Sequence, residues 1–257
     1  MSTSAATENL LVSGDPAPVE WVNRDSAAPV VLLCEHAGRE IPQKLGDLGV
    51  SEEVQSSHRG WDIGAEAVAR QLAGHLQAPL ILQRYSRLVI DCNRPLDAPD
   101  SIPPHSFGER IPANLNLTAP ERVARQNEIV APLNAAIENM LDRVPRRLAV
   151  SIHSFTPNVA GGGRPWHAGF LTRTDQPTGQ AIIDHIFDRR PDLQLALNQP
   201  YQIDGDSDWF IPHFVEPRGL AHSLVEIRND LIRDKQGAAD WAQLLADAFI
   251  NVLRTEP

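Results

Sequence analysis

Three side chains that can bind a metal or transfer a proton each follow a largely apolar stretch of the sequence. They are His36, His153 and Glu226, and the stretches before them are typical of buried strands. Polar groups at the carboxyl ends of parallel strands meet in the crevice where α/β proteins bind their ligands. We therefore expect these three residues to share one polar site.

The residue types in this set predict a hydrolytic metal centre. Zinc in such a centre takes three ligands from His, Asp and Glu and keeps one position for water. His36 and His153 are two candidate ligands, and the third must be an acid near His36, namely Glu35, Glu40 or Asp62. We favour Asp62, because Glu35 alternates to the side of the strand opposite His36.

Each residue around this metal centre has an alternative interpretation. Glu35 can reach the metal if the chain bends round once the strand has ended, and Asp62 by itself is compatible with an ordinary helix cap. His58, four residues before Asp62, is either an outer partner of the site or a surface histidine. One zinc ion per chain is expected, although another divalent metal suits the same ligands.

Glu226 is the candidate general base. Burial at the end of an apolar strand raises the pKa of a carboxyl group toward the value that proton transfer needs. His213 either assists proton transfer, binds substrate or is an ordinary loop residue. Arg228 either contacts the substrate or pairs with Asp230.

Arg87, Asn93 and Arg94 form a candidate anion clamp around the apolar segment that ends at Cys92. Arginine binds a carboxylate through two parallel hydrogen bonds, and an adjacent amide refines the angle at which the carboxylate is held. An acidic protein with two arginines beside its crevice is therefore expected to bind a small anion. Arg87 has the alternative of pairing with a structural acid such as Asp91.

These residues are spaced along an alternation of predicted strands and helices. This alternation favours an α/β fold, with a largely parallel sheet covered on both faces by helices, in one domain over residues 1–257. The first 15 residues are expected to be flexible, and the long connections 95–118 and 158–166 to cover the site. Strands are predicted over 29–35, 78–83, 87–92, 147–153, 168–172 and 220–226, and helices over 62–72, 120–142, 178–187 and 237–253.

Composition excludes several classes of partner. The chain of 257 residues has a net charge of -10 and no basic stripe, which argues against nucleic acid. No apolar stretch approaches the roughly 20 residues of a membrane span. The chain has only two cysteines, so a disulfide framework is not expected and a reducing, cytoplasmic compartment is.

Five motifs, taken in order, resemble the N-formylglutamate amidohydrolase family. The likeness runs from about residue 30 to residue 253, and the order of the motifs makes it specific. The motifs are Glu35-His36-Ala37-Gly38, Trp61-Asp62-Ile63-Gly64-Ala65, Ser86-Arg87 with Asp91-Cys92-Asn93-Arg94-Pro95, His153-Ser154-Phe155-Thr156-Pro157, and Glu226-Ile227-Arg228-Asn229-Asp230.

The resemblance implies a three-layer αβα domain of the zinc-exopeptidase (phosphorylase/hydrolase-like) kind, related to zinc carboxypeptidases and aspartoacylase-like deacylases. In those relatives a Glu stands three residues after the first His, whereas this chain has Arg39 there, so its acidic ligand must come from elsewhere. The residues that map onto the relatives' metal-binding, base and carboxylate-binding roles are His36, His153, Glu226, Arg87, Asn93 and Arg94.

The activity that this resemblance implies is hydrolysis of N-formyl-L-glutamate to formate and glutamate, a step of histidine breakdown. The expected partner is therefore a small acidic N-acyl amino acid, and Arg87 is expected also to face the oxyanion. Two alternatives remain at this point. One is a deacylase of another N-acyl amino acid or a carboxypeptidase-like hydrolase, and the other is a binding module for a small dicarboxylate.

Overall fold

The computed structural model describes residues 9–159 and 162–255. Seven of its strands form a central sheet, and the other four form two small hairpins. The strands are β1 (Val19–Val22), β2 (Val30–Cys34), β3 (Leu80–Gln83), β4 (His105–Ser106), β5 (Glu109–Arg110), β6 (Leu148–Phe155), β7 (Asn158–Val159), β8 (Gly162–Gly163), β9 (Ala168–Leu171), β10 (Leu195–Leu197) and β11 (Ala221–Arg228).

The central sheet is mostly parallel, as the sequence predicts. Its spatial order is β1-β3-β2-β6-β11-β9-β10. The four inner strands β3, β2, β6 and β11 run parallel to one another. Strand β1 runs antiparallel to β3 at one edge of the sheet. At the other edge β9 runs antiparallel to β11, and β10 runs parallel to β9. The carboxyl ends of the four inner strands therefore point to one edge of the sheet.

Helices cover both faces of this sheet, which confirms the three-layer arrangement. The described α-helices are α1 (Glu52–Ser56), α2 (Ala65–Leu76), α3 (Ala119–Arg125), α4 (Ala131–Asp142), α5 (Gln176–Phe187) and α6 (Lys235–Thr255). On one face α2 packs against α6, and α5 packs against α6. The helical stretch from α3 to α4 covers the other face and contains a π-helical segment at Gln126–Val130. None of the described helices is long and apolar enough to cross a bilayer.

The alternation of side chains along β2 divides the core into two layers. Val30, Leu32 and Cys34 pack into the cluster under α2 and α6, whereas Val31 and Leu33 pack into the cluster under α4. All five residues are buried. A strand that is apolar on both faces must be covered on both faces, which is why this sheet has helices on each side.

The predicted strand over 87–92 is wrong, because this segment forms a turn instead. The backbone N–H of Val89 donates to the carbonyl of Ser86 (2.9 Å). The buried Arg125 side chain then donates to the carbonyl of Val89 (2.7 Å) and to Asn114 Oδ1 (2.7 Å). The segment is apolar because it is buried beneath α3, and burial alone does not distinguish a strand from a turn.

The amino terminus is fixed from about residue 10. The backbone N–H groups of Leu10 and Leu11 donate to the Glu128 carboxylate at 2.6 and 2.8 Å, and Leu10 is buried. Residues 1–8 of the predicted flexible terminus lie outside the described residues. Strands β1 and β10, which the sequence pattern does not reveal, are short edge strands of four and three residues.

Candidate metal centre and catalytic cavity

Two histidine rings and one carboxylate converge at the carboxyl end of the inner strands. Asp62 Oδ2 lies 2.8 Å from His153 Nδ1 and 3.4 Å from His36 Nδ1. The two imidazole rings meet edge to face, with 4.9 Å between their centroids. One donor atom from each of these buried residues falls within 4.8 Å of the others, which is close enough for a single metal ion.

Each imidazole ring also contacts a further carboxylate through its outer nitrogen, Nε2. His36 Nε2 lies 2.7 Å from Asp91 Oδ1, and His153 Nε2 lies 3.1 Å from Glu35 Oε2. Ser151 donates its hydroxyl to the same oxygen of Glu35. Carboxylates in this position fix the tautomer of a metal-binding histidine with Nε2–H outward, so both Nδ1 atoms are directed at the central position.

The electrostatics of these donors suit a metal ion. Burial, reinforced by the Arg87 charge, lowers the pKa of His36 to about 4, and its Nδ1 atom is buried without a hydrogen-bond partner. Burial opposes protonation of His153 too, but the Glu35 carboxylate raises its pKa. Divalent metals bind neutral imidazole together with carboxylate oxygens; the lowered pKa of His36 keeps its imidazole neutral near pH 7, and Asp62 offers the carboxylate. The residues therefore fit a divalent metal ion.

Asp62 is positioned by the chain before α2 and does not cap that helix. Its backbone N–H donates to the carbonyl of His36 (2.9 Å), which fastens the two segments together. The residue that caps α2 is Gly64, in the left-handed conformation. Oδ1 of Asp62 pairs with the Arg87 guanidinium and lies 3.5 Å from His58 Nδ1, which leaves Oδ2 to the two histidines.

Gly38 explains how the turn after β2 presents His36. The backbone N–H of Gly38 donates to the carbonyl of Gln83 (2.9 Å), so the turn lies directly against the end of β3. A Cβ atom at Gly38 would lie 1.8 Å from the carbonyl oxygen of Arg84. Only glycine fits this approach of two backbones, and the approach sets the direction in which the chain leaves the strand.

Glu226 lies beside the histidine cluster on the neighbouring strand. It is paired with His153 in the register of β11 and β6 and is 7% exposed. Burial raises the pKa of its carboxyl group, against the opposing charges of His153 and Arg87, and its Oε2 atom has no hydrogen-bond partner. A buried carboxyl group with a free oxygen and a raised pKa is suited to proton transfer.

These groups line a cavity of about 480 Å³. Arg87, Asn93 and Arg94 all reach its wall, together with Tyr201 and Asp208. The clamp residues already have partners within the protein. Arg94 donates to the carbonyl of Ser207 and its Nε lies 3.2 Å from Asp100, and the Asn93 amide donates to Asp208 and accepts from the backbone of Trp209.

Arg87 is a half-buried cation of this cavity, with its Nε and Nη2 atoms shielded from solvent. Burial lowers its pKa, although the neighbouring carboxylates of Asp91 and Glu226 counteract this effect. Its Nε atom has no hydrogen-bond partner. An arginine so placed can donate to an oxygen that becomes negative close to the metal position.

Four residues considered in the sequence analysis lie away from the cavity. His213 is exposed and stacks on Trp209, with 3.9 Å between ring centroids. Arg228 pairs with Asp230 through a 2.8 Å contact. Arg39 and Glu40 are both exposed, so the structure does not bring Glu40 to the metal position.

Two acids, Glu35 and Asp91, hold the outer nitrogens of the histidines, a role that the sequence pattern does not predict. Glu35 stands behind His153 instead of competing with Asp62, since both Glu35 and His36 belong to the turn after β2 and strand alternation no longer applies to them. Asp91 holds His36 Nε2 and was considered only as a partner of Arg87. Its place two residues before the Asn93-Arg94 pair was the available signal.

Known proteins resemble this chain in sequence and in fold. The family model for N-formylglutamate amidohydrolase matches residues 28–233. A gene product of Agrobacterium tumefaciens with a solved structure is 34% identical, with a TM-score of 0.91 over 96% of this chain and 99% of that chain. No curated protein matches the sequence.

A second solved structure shows the same fold at lower identity. It is an N-formylglutamate amidohydrolase from Ralstonia eutropha JMP134, 20% identical, with a TM-score of 0.69 over 93% of this chain and 98% of that chain. The family model alone covers well over half of the chain. On these grounds the chain belongs to the N-formylglutamate amidohydrolase family of amide hydrolases.

Proposed function

We propose that this protein is a zinc-dependent amidohydrolase that cleaves the amide of N-formyl-L-glutamate, releasing formate and glutamate. The observation that carries the proposal is the convergence of His36 Nδ1, His153 Nδ1 and Asp62 Oδ2 next to the free carboxyl oxygen of Glu226. Family membership supplies the reaction class. The acidic substrate is supported by the arginines of the cavity wall.

The metal would be held by His36, Asp62 and His153, with Asp91 and Glu35 fixing the two imidazole rings. A zinc ion in this position supplies Lewis-acid chemistry, lowering the pKa of water and polarising the amide carbonyl. Asp62 Oδ1 stays paired with Arg87, so this carboxylate also links the metal position to that half-buried cation.

Glu226 acts as the proton shuttle. Its carboxylate takes a proton from the attacking water while the water oxygen bonds to the formyl carbon. It then returns that proton to the amide nitrogen as the carbon–nitrogen bond breaks, so the amine leaves as a neutral group. The raised pKa of the Glu226 carboxyl makes both transfers feasible near neutral pH.

Arg87 and Arg94 hold the negative charges of the reaction. Arg87 donates to the carbonyl oxygen as it becomes negative, since its guanidinium is buried next to Asp62. Arg94 and Asn93, on the cavity wall, position the substrate carboxylates. Arg94 is already fixed by Ser207 and Asp100, so it is pre-oriented for an incoming carboxylate.

The cellular role follows as part of the same proposal. Cleavage of N-formylglutamate places the protein in histidine breakdown. Both cysteines are free and buried, which suits a reducing cytoplasm. The substrate partner is thus a small acidic N-acyl amino acid.

A release assay on zinc-loaded protein tests the proposal. Formate should appear in equal amount to glutamate from N-formyl-L-glutamate, more slowly from N-formyl-L-aspartate, and not at all after removal of the metal with a chelator. Saturable binding of glutarate without release of formate from any N-formyl amino acid would instead establish a dicarboxylate-binding module. Release of a carboxyl-terminal residue from a peptide, with no release of formate, would establish a carboxypeptidase.

A further inference from the structure

A second cavity of about 440 Å³ opens beside the catalytic one. His58 and Phe107 line both cavities, so the second is a continuation of the first. Its other described walls are Ser57, Arg59 and the residues Thr156, Asn158 and Val159, and its surface is mostly apolar. We call it the side chamber. Hydrolysis of a formyl group, which has a single carbon, has no need of it.

Phe107 occupies an unfavourable place at the mouth of this side chamber. It forms the tip of the β4–β5 hairpin with Gly108, and the φ angles of the two residues are 47° and 80°. Such two-residue turns favour Asn, Asp or Gly, because positive φ strains a bulky side chain. Phe107 is also 58% exposed. An aromatic residue that is both strained and exposed beside a cavity indicates a ligand contact.

Val159 faces the same space from the β7–β8 hairpin. It is 37% exposed and lines the side chamber with Phe107. Phe107 also lies close to His58, with 6.3 Å between their ring centroids. Exposed apolar side chains from two separate hairpins thus meet over one cavity, whereas isolated exposed apolar residues are scattered on an ordinary surface.

The side chamber and the catalytic cavity share a wall but differ in chemical character, since the surface of the side chamber is mostly apolar. His58, which links the two cavities, lies 3.5 Å from Asp62 Oδ1. Arg94 and Asp208 belong to the catalytic cavity alone. A substrate whose amide lies beside Asp62 can extend its acyl group into the side chamber through the wall that His58 and Phe107 share.

We infer that the side chamber is an acyl-binding subsite, so that the enzyme accepts unbranched acyl groups of two to four carbons as well as formyl. The inference rests on the proposed function, since it takes the amide to be cleaved at the metal centre. It adds the chemical class of the acyl group, an apolar chain packed between Phe107 and Val159. Each methylene transferred from water to such a surface is expected to raise kcat/KM about threefold.

The test compares N-formyl-, N-acetyl- and N-butyryl-L-glutamate with the zinc-loaded enzyme. The expected kcat/KM for the butyryl substrate is about tenfold above that for the acetyl substrate, from which it differs by two methylenes. The Phe107→Asn variant places at the turn a residue that tolerates its backbone angles, so it should fold normally. It should lose most of the butyryl advantage, and its kcat/KM for the formyl substrate should fall by a clearly smaller factor.

Phe187→Ala is the matched control, because Phe187 is 51% exposed on α5 and lines neither cavity. It should leave all three substrates unchanged. Hydrolysis of the formyl substrate without measurable hydrolysis of the butyryl substrate would overturn the subsite while leaving the proposed function intact. Equal losses on both substrates in Phe107→Asn would overturn it as well.

A binding measurement separates this inference from the catalytic proposal. In the Glu226→Gln variant, calorimetry with zinc present should give a Kd for N-butyryl-L-glutamate about tenfold below that for N-formyl-L-glutamate, and Phe107→Asn should remove the difference. This result would support the subsite even if no substrate were turned over by the wild-type enzyme. Equal Kd values for the two compounds would refute it.

Discussion

Glu226 and His153 are direct neighbours on adjacent parallel strands. The pairing of β11 with β6 runs from Ala221 beside Leu148 to Arg228 beside Phe155, and it sets the two residues opposite each other. A slip of one residue would turn Glu226 to the other face of the sheet. The register of two buried strands therefore holds the proposed base beside a proposed metal ligand.

We expect Glu226→Gln to abolish most of the turnover and to leave metal binding intact. The amide is nearly the same size as the carboxyl group but cannot accept the proton of the attacking water, so kcat should fall by about 10²–10⁴-fold. Formate release and metal content per chain measure the two effects. Glu138→Gln, on the exposed surface of α4, is the control. Near-normal turnover in Glu226→Gln would show that Glu226 is not the general base.

His153→Ala should remove the metal. The ring offers one of the three donor atoms that we propose hold the metal, and its loss leaves Glu35 and Asp62 as buried carboxylates without their shared partner. Added zinc should raise the Tm of the wild-type protein, because it binds the folded state, and should not raise that of the variant. His213→Ala, outside the cavity, should behave like wild type. Stoichiometric zinc in His153→Ala would rule out this ligand.

Asp91→Asn tests whether the outer carboxylate orients His36. Asparagine keeps the size of the side chain but weakens the charge-assisted contact with Nε2, which is 2.7 Å long in the wild-type protein. Loss of such a partner typically costs about 10–100-fold in metal affinity. A competition titration with a zinc-binding dye measures this change against Asp97→Asn, an exposed acid of the same loop. Identical affinities in the two variants would contradict the role.

The fold was predictable where the sequence pattern reflects a strand with neighbours on both sides. Strands β2, β6 and β11 were recognised because burial on both faces makes them continuously apolar. The apolar segment 87–92 was wrongly predicted as a strand, because a turn there is buried as deeply as a strand. Strands β1 and β10 were not predicted, because half-buried positions at the edges of the sheet leave no clear hydrophobic pattern in the sequence.

The site was predictable in its residue types and less so in its geometry. Strand exits identified His36, His153 and Glu226 as neighbours, since parallel strands end at one edge of the sheet. Strand alternation could not locate Glu35, because β2 ends at Cys34 and the turn after it follows other rules. Which carboxylate faces the metal position (Asp62) and which ones contact the outer nitrogens of the histidines (Asp91 and Glu35) depends on side-chain directions. The spacing of residues in the sequence does not determine those directions.

Arg94→Ala should raise KM for N-formyl-L-glutamate by about 10–100-fold, the range expected for a lost hydrogen bond between charged groups. kcat should change much less, because Arg94 lies on the cavity wall and not at the metal ligands. Arg228→Ala is the control, since that side chain pairs with Asp230 away from the cavity. An unchanged KM in Arg94→Ala would show that the substrate carboxylates bind elsewhere.

Gly38→Ala tests whether the close approach of two backbones sets the position of His36. The added Cβ would lie 1.8 Å from the carbonyl oxygen of Arg84, so the turn must shift. We expect a loss of at least about 2 kcal/mol in the free energy of unfolding, together with weaker zinc binding through the displaced His36. Urea unfolding of the metal-free protein measures the first effect.

Gly74→Ala is the matched comparison for that substitution. Gly74 lies on the exposed side of α2, and its added Cβ would meet nothing within 4 Å. Alanine in a helix restricts the unfolded chain, so this variant should gain about 0.5–1 kcal/mol of stability. If the two variants were equally stable and bound zinc equally well, the close contact at Gly38 would have no part in holding the metal centre.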